Sequence, residues 1–177
     1  MKNIKKSLIS LFTSVDKSTR CFLVSLLIIA LVIVLVSVFF FQIAIVNGDS
    51  MLPTLKNNQI LIMKKYDNVY ERNSIIVFQH EYKCLIKRVV GLPGETVQII
   101  NNDIYINGEK IIDSINVDMA EYGIAHDVVT LAHDEYFVLG DNRNESLDSR
   151  FIGPIKKKNI KGKIIIRLMP YKTFNNK

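Results

Sequence analysis

The chain has 177 residues, of which 49% are apolar and 23% charged, and its formal net charge is +6. That length suits one modest domain, and the composition excludes a disordered or collagen-like chain. The placement of the apolar residues excludes an ordinary soluble protein, because residues 22–41 (FLVSLLIIALVIVLVSVFFF) hold 18 apolar side chains out of 20, interrupted only by Ser25 and Ser37.

At a rise of about 1.5 Å per residue, a helix over that run is roughly 30 Å long, the thickness of a bilayer's hydrocarbon core. Before it, residues 1–20 carry Lys2, Lys5, Lys6, Lys17 and Arg20 against Asp16, whereas the remainder holds 18 Lys and Arg against 16 Asp and Glu. A basic excess concentrated beside a span argues against nucleic acid as a partner. By the positive-inside bias it keeps the N-terminus in the cytoplasm. The chain therefore divides into a cytoplasmic basic tail (1–20), a transmembrane signal anchor (21–46) and an extracytoplasmic domain (47–177). A cleaved signal peptide is the rival reading, but its apolar core usually covers only about 7 to 15 residues. No small-x-small site follows in Phe41-Gln42-Ile43-Ala44-Ile45-Val46. In this topology Cys21 and Cys84 are separated by the membrane, so no disulfide is expected.

Directly after the span comes Gly48-Asp49-Ser50-Met51-Leu52-Pro53-Thr54-Leu55. A lone serine before a proline is ordinarily a cap or turn residue. Ser50, however, follows Val46 by four residues, which keeps it within about 14 Å of the membrane boundary.

Beyond it the pattern is strand-like. Short β-branched runs recur at 59–63, 74–78, 84–90, 96–100, 103–106, 110–112, 135–139 and 163–168, separated by turn residues, and they point to a β-rich exterior domain. Asn107-Gly108 suits a tight hairpin turn, and Gly91-Leu92-Pro93-Gly94 a second turn. In Leu85-Ile86-Lys87-Arg88-Val89-Val90, period-two alternation puts Lys87 on the face of Leu85 and Val89 and turns Arg88 the other way. Among apolar neighbours a lysine is driven toward its neutral form, which can accept a proton from a hydroxyl. An exposed mid-strand lysine is the plain alternative.

Residues 113–134 form an irregular polar stretch in which His126 and His133 read as loop histidines rather than metal ligands. Gly140-Asp141-Asn142-Arg143-Asn144-Glu145-Ser146-Leu147-Asp148-Ser149-Arg150 is a dense polar segment after an apolar strand. Alone it would be an Asx-rich loop. Lys156, Lys157, Lys158, Lys161 and Lys163 read as a solvated turn, with anionic lipid as the second reading.

Taken together, the Ser50 segment, the stretch from Ile86 through Gly94-Glu95 and the Gly140 to Arg150 segment stand in the order and chemistry of one family. The chain resembles the bacterial type I signal peptidases over residues 20–170. The resemblance implies a mostly antiparallel β catalytic domain behind one membrane anchor. It also implies a serine/lysine endopeptidase that removes signal peptides from preproteins after a small-x-small sequence, with membrane lipid and the secretion machinery as further partners and no cofactor or metal. By motif position Ser50 is the nucleophile and Lys87 the general base. Ser146 orients the lysine by a hydrogen bond, and Asp148 and Arg150, with Arg88, brace the site. Where some members carry a hydroxyl residue two before the nucleophile, this chain has Gly48, so the oxyanion site keeps the Ser50 N–H and lacks that side-chain donor. Related self-cleaving repressors of the SOS type share the Ser/Lys chemistry but fit neither the anchor nor the Gly140 to Arg150 segment. A membrane-anchored binding module or inactive homologue would have lost Ser50 or Lys87.

Overall fold

The computed structural model describes residues 16–67, 69–115 and 117–168. Most of the basic tail expected over 1–20 lies outside them. Two compact units are present, divided at Phe40 and Phe41. The first holds helix α1 (Lys17–Phe40), capped by Asp16, whose carboxylate accepts the Thr19 N–H at 3.1 Å. No residue of α1 is buried, and it is the one helix among the described residues long and apolar enough to cross a membrane. Its two hydroxyls are satisfied within the helix, Ser25 donating to the Phe22 carbonyl and Ser37 to that of Ile33. A lipid environment requires this of any polar group.

The second unit is antiparallel β throughout its pairings. Its strands are β1 (Phe41–Ile45), β2 (Ile60–Lys64), β3 (Ile75–His80), β4 (Lys83–Gly91), β5 (Thr96–Ile100), β6 (Asp103–Ile106), β7 (Glu109–Lys110), β8 (Val129–Thr130), β9 (Glu135–Leu139), β10 (Ile155–Lys156) and β11 (Ile160–Leu168). One sheet runs in the order β1-β2-β11-β3-β4-β9-β10 and the other β7-β6-β5-β8. The long β4 ends at the Leu92–Glu95 turn that leads into the second sheet. There Glu95 Oε2 accepts the Leu92 N–H at 2.7 Å and Oε1 pairs with Arg72 at 2.6 Å. Asn107 and Gly108 both hold positive φ, 52° and 81°, the conformation that the β6–β7 hairpin needs.

Two expectations are corrected. The sheet unit begins at Phe41 rather than at residue 47, because Phe41–Ile45 pairs along its whole length with β2, Ile43 opposite Ile62 and Ile45 opposite Ile60. The stretch 113–134 is more ordered than its polarity suggests, since it supplies β8, a 3₁₀ turn at Gly123–His126, and Met119, Ala125 and Leu131 to the core around Val97, Ile99 and Phe137.

Gly91 lies where β4 crosses between the two sheets. A Cβ there would meet Val97 Cγ2 at 2.5 Å, Leu131 Cδ1 at 2.8 Å and Phe137 Cβ at 2.9 Å. Gly91→Ala should therefore destabilise the domain by about 1–3 kcal/mol through overpacking. Urea unfolding of the full chain in non-ionic micelles should show a lower midpoint at an unchanged slope. An unchanged midpoint would contradict this packing.

Candidate active site

Ser50 sits on a loop whose backbone is pinned from below. Met51 and Leu55 are 1% and 2% exposed and pack with Val46 and Leu61. The Leu52 N–H donates to the Asp49 carbonyl and the Leu55 N–H to that of Met51. Two positions before Ser50, Gly48 holds φ +92° with its N–H on Asn57 Oδ1 at 3.1 Å. That backbone conformation favours glycine and strains a side chain, which is a local reason for the absence of a hydroxyl residue here.

Lys87 projects from β4, opposite Ile76 of β3, and is only 3% exposed. Its Nζ donates to Ser50 Oγ at 2.6 Å. Burial pushes the ammonium down from 10.5 to about 8, while the carboxylates of Asp148 and Asp141 pull the other way. A serine hydroxyl in contact with an amine that is partly neutral near physiological pH is the minimal equipment for nucleophilic attack with base assistance.

The 140–150 segment forms the wall behind this pair. The Asn142 N–H donates to the Ser50 carbonyl at 3.0 Å and its Nδ2 to the Asp49 carbonyl at 3.3 Å, tying the two loops together. A Cβ on Gly140 would come within 2.0 Å of Ser146 Oγ and 2.7 Å of the Ser50 carbonyl, so only glycine allows that approach. Arg88 holds Asp141 with two parallel bonds, Nε to Oδ1 at 2.8 Å and Nη2 to Oδ2 at 2.6 Å. Asp148 caps the short helix α2 (Ser149–Ile152), takes Arg150 Nε and Nη2 at 2.9 Å each, and accepts the Gly140 N–H at 3.0 Å. Asp141, Asp148 and Arg150 are removed from water and Arg88 is largely so, and each buried charge is tolerable only because its partner is present.

The structure thus brings together Ser50, Lys87, Arg88, Ser146, Asp148 and Arg150. One expected contact is not made: Ser146 Oγ is buried without a hydrogen-bond partner among the described residues, Lys87 Nζ included. Residue-by-residue reading passed over Asp141, Asn142 and Arg143. Arg143 is 1% exposed, donates through Nε to the Gly140 carbonyl at 3.0 Å and pairs with Asp113. The available signal was the run Gly-Asp-Asn-Arg directly after an apolar strand, where a charged side chain has to find a partner or leave the core. Among the described residues no group of three His, Cys, Asp or Glu side chains could hold a metal.

The family model described as "Signal peptidase, peptidase S26" matches residues 19–169. The chain is 39% identical over 149 residues to a signal peptidase I of Bacillus amyloliquefaciens, covering 77% of this chain and 80% of that one. It is 37% identical over 150 residues to signal peptidase I S of Bacillus subtilis (strain 168), covering 77% and 82%. A crystal structure of a signal peptidase I from Enterococcus faecalis V583 aligns with 32% identity and a TM-score of 0.47, covering 55% of this chain and 98% of that one.

The buried amine carries a stability consequence. With its value near 8 in the folded protein and 10.5 as the ordinary value, the charged form is disfavoured on folding. The cost is fully present below pH 8 and disappears as pH rises to 10.5. At 1.36 kcal/mol per unit it is about 3 kcal/mol. Lys87→Met should therefore be more stable than the parent at pH 7, by an amount of that order, with the gap closing between pH 8 and 10.5. Denaturant midpoints measured across that range check it; a gap that does not change with pH would contradict the burial of a charged lysine.

Proposed function

The chain belongs to the signal peptidase family of peptidase S26, whose members are serine endopeptidases that remove signal peptides, and from that premise we propose that Ser50 and Lys87 carry out the reaction as nucleophile and general base. The observation that carries this reading is the 2.6 Å contact between Lys87 Nζ and Ser50 Oγ at a buried position. With the amine neutral, the contact runs in reverse: the hydroxyl donates its proton to the nitrogen lone pair as Oγ attacks the scissile carbonyl. The Ser50 backbone N–H donates to the developing oxyanion. The ammonium then returns its proton to the departing amine. Water, deprotonated by the same lysine, releases the acyl group and regenerates the hydroxyl.

Substrate choice follows from the groove beside the pair, lined by Ala44, Val46, Met51, Val77 and Ile86. Such an apolar lining fits small side chains flanking the cleavage point, in keeping with a small-x-small sequence. Arg88–Asp141 and Arg150–Asp148 hold the wall that carries Ser146. Helix α1 serves as the membrane anchor, with the basic tail in the cytoplasm and the sheet domain on the outer face, where a preprotein's cleavage site emerges from the bilayer. The nucleophile and the substrate then share one depth, and the membrane supplies part of their alignment.

Ser50→Ala and Lys87→Ala should each abolish preprotein cleavage in a folded protein. Lys87→Arg should lower kcat/KM by roughly 10²–10⁴-fold, because a guanidinium stays charged and cannot accept the proton. In the parent enzyme kcat/KM should rise with pH through a midpoint near 8, as Lys87 loses its proton. Processing assays on a preprotein, with mass spectrometry of the new N-terminus, read both effects. An active Lys87→Arg enzyme, or a profile flat from pH 6 to 10, would remove Lys87 from the role of base.

A further inference from the structure

The groove that contains Ser50 and Lys87 encloses about 1130 Å³ and does not end at its apolar part. Its lining continues to three exposed lysines, Lys157 and Lys158 on the segment that joins β10 to β11 and Lys161 at the start of β11. That segment has a fixed backbone. The Lys157 N–H donates to the Asp134 carbonyl at 2.7 Å, residues Lys157–Asn159 form a 3₁₀ turn, and Ile160 is anchored in the core with Tyr70, Phe78 and Val138.

The charge on this rim is unbalanced. None of the three lysines makes an ion pair among the described residues, whereas Lys163 of the same strand is paired with Glu71. Two carboxylates also line the groove, those of Asp67 and Asp134, and Asp67 is already held by Lys64 at 2.7 Å. At that end of the groove the three lysines outnumber the Asp134 carboxylate, and the net positive charge calls for an anionic occupant.

Sheet register gives its distance from the chemistry. Ile160 stands opposite Phe78 of β3, and Phe78 opposite Leu85 of β4, two positions along the strand from Lys87. Two residues of strand rise and two inter-strand spacings combine to about 12 Å between the Lys87 backbone and the start of the lysine rim. An extended peptide covers that in about four residues.

We propose that Lys157, Lys158 and Lys161 form a subsite that selects a carboxylate side chain of the substrate about four residues from the scissile bond. The proposal rests on the reading of the groove as the peptide-binding cleft. A lipid headgroup could satisfy the same charges, but the continuity of the lysines with the Ser50–Lys87 lining favours the peptide.

The test uses the full chain in non-ionic micelles free of anionic lipid, and peptides carrying Asp, Asn or Lys singly at the third to sixth position on either side of the cleavage point. The Asp-over-Lys ratio of kcat/KM should be about fivefold at one position and near one elsewhere, the scale expected of solvent-exposed charge pairs. It should fall toward one at high salt and in a Lys157→Gln/Lys158→Gln/Lys161→Gln variant. In Lys158→Glu it should fall below one. A ratio near one at every position, in an enzyme that cleaves the Asn peptides, would overturn the lysine subsite alone. So would a preference that survives the triple substitution. Vesicles with phosphatidylglycerol provide the other arm: if they accelerate the parent and not the triple variant while the peptide ratio stays flat, the lysines serve lipid and the proposal fails. Failure to cleave even the Asn peptides would overturn the reading of the cleft, and this subsite with it.

Discussion

Burial of the Lys87 amine is the constraint on which the remaining features of the site depend. An ammonium in water resists deprotonation up to about pH 10.4 and is useless as a base near neutrality. At 3% exposure and against Ser50 Oγ, the same group falls to about 8, because the charged form loses its hydration. The protein thereby trades stability of the free enzyme for a nitrogen that can take up a proton. The strand β4 is well suited to hold it, since it pairs with β3 on one side and β9 on the other and cannot easily turn the lysine outward.

The carboxylates nearby would undo this arrangement if they stood alone. Asp148 and Asp141 both favour the charged lysine. Each is engaged by an arginine, Asp148 by Arg150 and Asp141 by Arg88, with short parallel bonds that spend much of the negative charge locally. Desolvation then outweighs attraction. The same pairs shape the wall: Asp148 takes the Gly140 N–H, Arg143 takes the Gly140 carbonyl, and Asn142 binds the loop of Ser50. The polar density of residues 140–150 thus tunes the charge on the lysine and positions the serine backbone at once.

Much of this was legible in the sequence because the site is built from short contiguous segments. The Ser50 octet, the Lys87 strand and the Gly140 segment each carry their chemistry within a dozen residues, and short β-branched runs between turn residues suffice to find β3, β5, β6 and β9. Phe41–Ile45 was not legible as a strand, since it directly continues the apolar run of the helix with Gln42 as its single polar residue. Nothing local distinguishes the last residues of a span from the edge of a sheet. Residues 113–134 failed for the opposite reason, being polar where Asn102 and Tyr122 organise the backbone through side-chain bonds that no periodicity reveals. Lys157, Lys158 and Lys161 look like part of any solvated turn until the fold sets them at the end of the groove.

The central claim is that folding lowers the proton affinity of one particular amine, and the most direct measurement is an NMR titration of the full chain in micelles with lysine labelled at Cε. The Lys87 resonance, assigned by its loss in Lys87→Met, should titrate near pH 8, well below the ordinary lysine value of 10.5. A midpoint for Lys87 at or above 10.5 would contradict the account.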